Sequence, residues 1–510
     1  KTQTEESNLT MITFKQKALF SAIAGAGALA AAGAANAVYI NHEGLGQALV
    51  YSYFTARDGN ATLLSVVNTT NNAKIVKVRF LEGKNSKEVL DFNLFLSPFD
   101  VWTGAVVPAT SAAAANLPGY TNPAVDALGG AMLVTADRSC TNPKVPAVGA
   151  AFRNFAYSGD TTVAANQSMD RTMEGYIEMI EMAEIVSTST LWADVKHTKA
   201  NSWTPACSLV SNASVNAQPS GTLTGPTGGL FGAGTLLNAG GGTNTGYDAL
   251  ALNDFWSTGT GPQFTASGTI LPNLSSATGT TSVVQNGQLI YLTPWVDGVN
   301  AVSATMMHAK VMNEYAHTGD GVIGTDWVLT MPTKRFYVNS TVAIPPFQSP
   351  WNGKTSKDDF GVADTDREEY SATSVSTDDF SPGPTGSAAD CTGTSSNTSS
   401  VPLQSVVASL CYEANVLGFG KIQSSSKSNV LSSSNFFNLV TAVQNSGNAV
   451  NSPGAEGGWA AVTFPVIGNA HKLVAAPANA GTTAVVNLAA PTAAAAQYGT
   501  VTYGGLPVIG

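Results

Sequence analysis

The chain has 510 residues and a formal net charge of -10 at pH 7, a balance that repels phosphate backbones on average and sets nucleic acid aside as a partner. Charged side chains make up 11% of it, against roughly 25% in ordinary soluble domains, so Ser, Thr, Asn and Gly must supply the polar surface. Hydrophobic residues are 44% of the chain, enough material for two or three cores.

Met11 opens a segment with Lys15 and Lys17, then an apolar run from Ala18 to about Gly33, then Ala35-Asn36-Ala37. A short basic region, an apolar core and an A-x-A site form the secretory signal pattern, in which two small side chains fit the shallow pockets of the peptidase. Residues 1–37 are therefore expected to be upstream residues plus a cleavable signal, and the mature chain to begin at Val38. The run is weakly hydrophobic and shorter than the roughly 20 apolar residues a bilayer requires. No transmembrane segment is expected after it.

Thr62 to Val67 is β-branched and Leu-rich, and Asn68-Thr69-Thr70-Asn71-Asn72 supplies turn chemistry. Val76, Val78 and Phe80 then alternate with Lys77 and Arg79. This period of two sends three apolar groups to one face and two cations to the other, predicting a strand with one wet face. Leu90, Phe92, Leu94 and Leu96 repeat the alternation until Pro98 stops it. Three consecutive strands with short polar connections predict an antiparallel meander, one face covered by a second sheet. The expected fold class is mainly β, an antiparallel β-sandwich with long Ser/Gly/Ala-rich loops and a few short helices.

The stretch GLGQALVYSYFTARDGNATLLSVVNTTNNAKIVKVRFLEGKNSKEVLDFNLFLSPFDVWTGAVV, residues 44–107, resembles the start of a proteobacterial secreted family labelled cell surface protein. The resemblance continues in GGLFGAGTLLNAGGGTNTGYDALAL (228–252), NEYAHTGDGVIGTDWVLTMPTKRFYV (313–338), DREEY (366–370) and GLPVIG (505–510). It implies a Sec-exported envelope protein with immunoglobulin-like β architecture and no attached activity. NTTNNAKIVKVRF is also similar to the sandwich domains of pilus chaperones and major-sperm-type modules, a short likeness that supports the sandwich alone.

Further along, residues 38–135 are expected to form the sandwich, 136–288 a loop-rich region with a disulfide-closed excursion, and 289–510 a second β-rich region with an acidic loop. Cys140, Cys207, Cys391 and Cys411 fit an oxidising compartment. Of the three possible pairings, Cys140 with Cys207 and Cys391 with Cys411 is favoured, because each bond closes one Ser- and Gly-rich excursion and removes much of its unfolded-state entropy. No Cys-x-x-Cys spacing suggests a metal.

Glu174, Glu178, Glu181 and Glu184 sit at helical spacing, which would make a solvated acidic stripe. Gly175-Tyr176-Ile177 favours a strand, which splits them between faces. Asp358, Asp359, Asp364, Asp366, Glu368 and Glu369 crowd a Gly-containing segment read as a loop. Such hard oxygen ligands make the first five a candidate calcium site, although the EF-hand spacing is missed; no other cofactor is expected. His42, His197, His308, His317 and His471 show no zinc spacing and read as ordinary surface or loop residues. Ser424-Ser425-Ser426-Lys427 lies in a serine run without companion motifs, and Gly353-Lys354-Thr355 lacks the glycine and strand of a phosphate loop.

These features predict a non-enzymatic protein exported to the outer surface or beyond, structural or adhesive, associating with itself or with other surface components through edge strands. The alternative is a secreted carbohydrate-active hydrolase with a carboxylate pair drawn from the two acidic clusters.

Overall fold

The computed structural model describes residues 37–110, 129–285 and most of 288–368, and then segments within 406–418, 432–435, 455–463, 471–474, 485–486, 500–503 and 506–509. Residues 1–36, which hold most of the expected signal, and Cys391 and Glu369 lie outside the described residues.

Two antiparallel sheets dominate the N-terminal half. The strands are β1 (Tyr39–Ile40), β2 (Ala48–Thr55), β3 (Asn60–Asn68), β4 (Ala73–Glu82), β5 (Glu88–Leu96), β6 (Val101–Pro108), β7 (Ala131–Val134), β8 (Cys140–Asn142), β9 (Ala150–Ala151), β10 (Glu174–Ile185), β11 (Leu223–Thr224), β12 (Leu230–Asn238), β13 (Thr243–Asp248) and β14 (Leu250–Asn253). The eight-stranded sheet runs β1-β14-β2-β10-β4-β5-β8, with β11 also on β10, and the six-stranded sheet runs β13-β12-β3-β6-β7-β9. Helices are few and short, such as Thr190–Val195, Asn212–Asn216 and Gly298–Thr305. No helix among the described residues is long and apolar enough to cross a membrane.

The expected strands form where alternation placed them, but the meander does not. β3 belongs to the six-stranded sheet, while β4 and β5 pair in the eight-stranded one. The turn between β3 and β4 is an arch from one sheet to the other. Buried Asn68 shapes it: Nδ2 donates to Asn72 O at 2.7 Å and Ser97 O at 2.9 Å, and Oδ1 accepts from Thr70 N at 3.1 Å. The arch lets Leu64 and Val66 of β3 face Val76, Val78 and Phe80 of β4 across a shared apolar layer that also takes in Tyr51, Phe92, Trp102 and Ile177. Phe80 and Phe54 meet edge to face, with centroids 5.8 Å apart, which adds specific geometry to area burial.

The other face of the eight-stranded sheet is covered too. Val50, Tyr176, Ile180 and Leu252 pack with Trp256, Trp295, Val302, Leu329, Tyr412 and Val416 in a second cluster. The wet face expected for β4 is therefore buried, and Lys77 and Arg79 are both inaccessible to solvent or nearly so. β10 confirms the strand over the helix for residues 174–184. Gly175 suits that strand because a Cβ there would collide with the Leu81 carbonyl.

Cys140 and Cys207 form the expected disulfide, with a Cα separation of 5.4 Å. It fastens β8, at the sheet edge, to the excursion that carries helix Thr190–Val195. Of the second expected pair, Cys411 is buried and disulfide-bonded, and Cys391 lies outside the described residues.

Candidate functional site

The first acidic cluster meets cations on neighbouring strands. Register sets Glu178 beside Arg79 and Glu184 beside Lys74. Arg79 reaches Glu178 at 3.2 Å and Glu88 at 2.6 Å, and Arg335 adds contacts to both Glu178 oxygens at 2.7 and 3.0 Å. Lys74, fully buried, lies 2.7 Å from Glu181 and 3.0 Å from Glu184. Gly228 N–H donates to Glu181 Oε2 at 2.7 Å. Glu174 takes a hydrogen bond from Tyr53 Oη at 2.5 Å and an ion pair from Arg57.

Burial and pairing compete at each carboxyl. Burial raises Glu181 above the usual carboxylate range against the pull of Lys74. At Glu184 burial pushes the same way, but Thr227 and Lys74 outweigh it and hold the group below that range. All four glutamates are buried, and their carboxylates are committed to cations, hydroxyls or backbone amides. A glycosidase needs two carboxyls facing a sugar across an open cleft, and this series does not provide them.

A Ser/His/Asp grouping, not legible in the sequence, occurs at the β5–β6 turn. Ser97 Oγ lies 2.9 Å from His197 Nδ1, and Asp100 Oδ2 lies 3.3 Å from the same nitrogen. In a catalytic relay the acid orients the ring through the nitrogen opposite the one that takes the serine proton. Here serine and acid share one nitrogen. Asp100 Oδ2 also accepts from Ser97 N at 2.9 Å and Ser139 Oγ at 3.2 Å, so the group ties the turn to the chain beside Cys140.

The candidate calcium residues Asp358, Asp359, Asp364, Asp366 and Glu368 lie on a strand, Asp358–Glu368, rather than the expected loop. It pairs with Val406–Leu410 and Ala455–Thr463, with a register shift between Asp364 and Asp366. Their side chains are outside the described residues. Among the described residues no group of three or more His, Cys, Asp or Glu is arranged to hold a metal ion.

The outer face of the six-stranded sheet differs from all of this. Its cross-strand rows read Phe231, Val67 and Val101, then Ala233, Ser65 and Thr103, then Thr235, Leu63, Ala105 and Val134. Their one charged residue is Asp248, which pairs with Ala233 at the β13 end of the second row. Leu63, inside β3, is 41% exposed and Val101, at the start of β6, 45%, large values for aliphatic side chains on a sheet. A groove of about 600 Å³ runs along the face, walled by Leu63, Ser65, Thr103, Ala105, Thr135 and Thr235 among others. It offers methyl groups and hydroxyls, with no acid, base or paired nucleophile. Beside it β13 ends the sheet, mostly exposed and carrying Asp248 as its one charge.

Comparison of the chain with protein-family models, with curated proteins and with solved structures finds no match. The functional case therefore rests on this geometry.

Proposed function

We propose that the chain is an exported structural or adhesive protein of the cell surface, of the secreted family that residues 44–107 resemble, and that it assembles with further copies or other surface components. An immunoglobulin-like character of the sandwich belongs to the same proposal, supported by consecutive strands that cross between two antiparallel sheets. The observation that carries it is the contrast between the sheets. One is covered on both faces, with its ionisable groups paired inside. The other presents an outer face whose cross-strand rows carry one charge, Asp248 on β13, and an edge strand whose outer side nothing pairs among the described residues. Natural proteins usually blunt such edges with charge, proline or a bulge, because unpaired backbone groups recruit another strand. The Cys140–Cys207 disulfide supports an oxidising destination.

The test is electron microscopy with sedimentation velocity of the purified protein, with and without calcium. Ordered arrays, filaments or concentration-dependent oligomers are expected, and Leu63→Lys with Val101→Lys should abolish them without unfolding the chain. A protein that stays monomeric at high concentration in both conditions overturns assembly.

A further inference from the structure

On the face of β4 turned away from the apolar layer, Lys77 is fully buried, and its Nζ lies 2.6 Å from Asp91 Oδ2 on β5. Asp91 pairs in register with Arg79, while Lys77 pairs with Asn93. Lysine and aspartate are thus diagonal neighbours, roughly 7–8 Å apart at the backbone, a gap that a lysine side chain joined to an aspartate side chain spans without strain. One stretch of backbone closes over all three groups. Ala266 O accepts from Lys77 Nζ at 3.3 Å, Thr265 O accepts from Asn93 Nδ2 at 2.9 Å, and Gly268 N–H donates to Asp91 Oδ2 at 2.6 Å. Asn93 Oδ1 is buried without a hydrogen-bond partner among the described residues.

We propose that Lys77 and Asp91 condense into an intramolecular amide that cross-links β4 to β5. The ammonium first passes a proton to the carboxylate across their contact, leaving an amine and a carboxylic acid. The amine lone pair attacks Asp91 Cγ, and the Nζ–Cγ bond forms. Charge gathers on Oδ1, the carbonyl oxygen of that acid. Oδ2, which holds the first proton and accepts from the Gly268 N–H, leaves as water, its second proton coming from the nitrogen, so ammonium plus carboxylate gives amide plus water with no oxidant or activating group. Full burial of Lys77 favours the amide, since it limits the access of the water that hydrolysis needs. Ala266 O remains to accept the amide N–H. Nothing in this step depends on the surface role proposed above.

Mass spectrometry of the intact protein, reduced and denatured, tests it. The expected mass is one water below that of the sequence. Trypsin should fail to cut after Lys77, and that peptide should be recovered joined to the one carrying Asp91. Lys77→Arg keeps a cation opposite Asp91 without the amine, and should restore the full mass. A parent protein of full mass that is cut normally after Lys77 overturns the cross-link, whatever the variant does. Loss of ammonia instead of water, with the junction at Asn93, overturns the assignment to Asp91.

Discussion

Replacing Cys140 and Cys207 together by alanine opens a covalent loop whose ends are 67 residues apart in sequence. In the chain-entropy treatment a loop of that length restrains the unfolded state by about 4 kcal/mol. The native surroundings of the two sites are largely kept, because the alanine at position 140 still sits among Ala73, Ile75, Phe95 and Leu191 and β8 keeps its ladder to β5. The loss should therefore be close to the entropic figure. Equilibrium urea unfolding of parent and double variant, followed by tryptophan fluorescence, measures it. Under reducing conditions, where the disulfide of Cys411 is open in both, parent and variant should be equally stable. A variant within about 1 kcal/mol of the oxidised parent would show that the excursion from β8 to Cys207 is already restrained when unfolded, and would refute the entropic account.

Two further perturbations address the buried charges. Arg335→Met leaves Glu178 with Arg79 alone, at 3.2 Å, and should cost about 3 kcal/mol, as breaking a buried pair does. In a Glu178→Gln background the same change should cost at least about 1 kcal/mol less, and equal costs in the two backgrounds in a double-mutant cycle would refute the coupling. Glu413 is the opposite case, buried with neither carboxyl oxygen hydrogen-bonded among the described residues. Burial pushes this carboxyl well above the usual range, against Arg335 and Lys334. A group that holds its proton more tightly when folded gives its full stabilisation below the unfolded pKa, about 4.3, and loses it as pH rises through the folded value. Glu413→Gln should therefore gain on the parent with rising pH, reaching on the order of 1–3 kcal/mol. Urea midpoints for parent and variant that run parallel from pH 4 to 8 would contradict this.

The strands were legible wherever a local period operates. Val76, Val78 and Phe80 announce β4, and Gly175-Tyr176-Ile177 tips Glu174–Ile185 toward β10, because alternation and β-branching act between neighbours in sequence. What lies across a strand is decided elsewhere in the chain. Lys77 and Arg79 look solvated until Ala266 and Arg335, far along the sequence, are placed over them. The arch at Asn68 hides in turn chemistry that fits a hairpin equally well, since the two differ only in which sheet receives the next strand. The Cys140–Cys207 bond follows from composition and excursion length, whereas the shared nitrogen of His197 and the uncharged row through Leu63 emerge only from assembled geometry.

Because Val76, Val78 and Phe80 line one side of the middle of β4 and Lys77 and Arg79 the other, its alignment with β10 and β5 is fixed by more than hydrogen bonding. A slip of one residue would thrust Lys77 and Arg79 among Phe92, Trp102 and Ile177 and turn Val76 and Val78 toward carboxylates. Competing alignments would leave ions unmatched in oil, so the paired charges act as a proofreading device during folding, discarding near-miss sheets that hydrophobicity alone would tolerate.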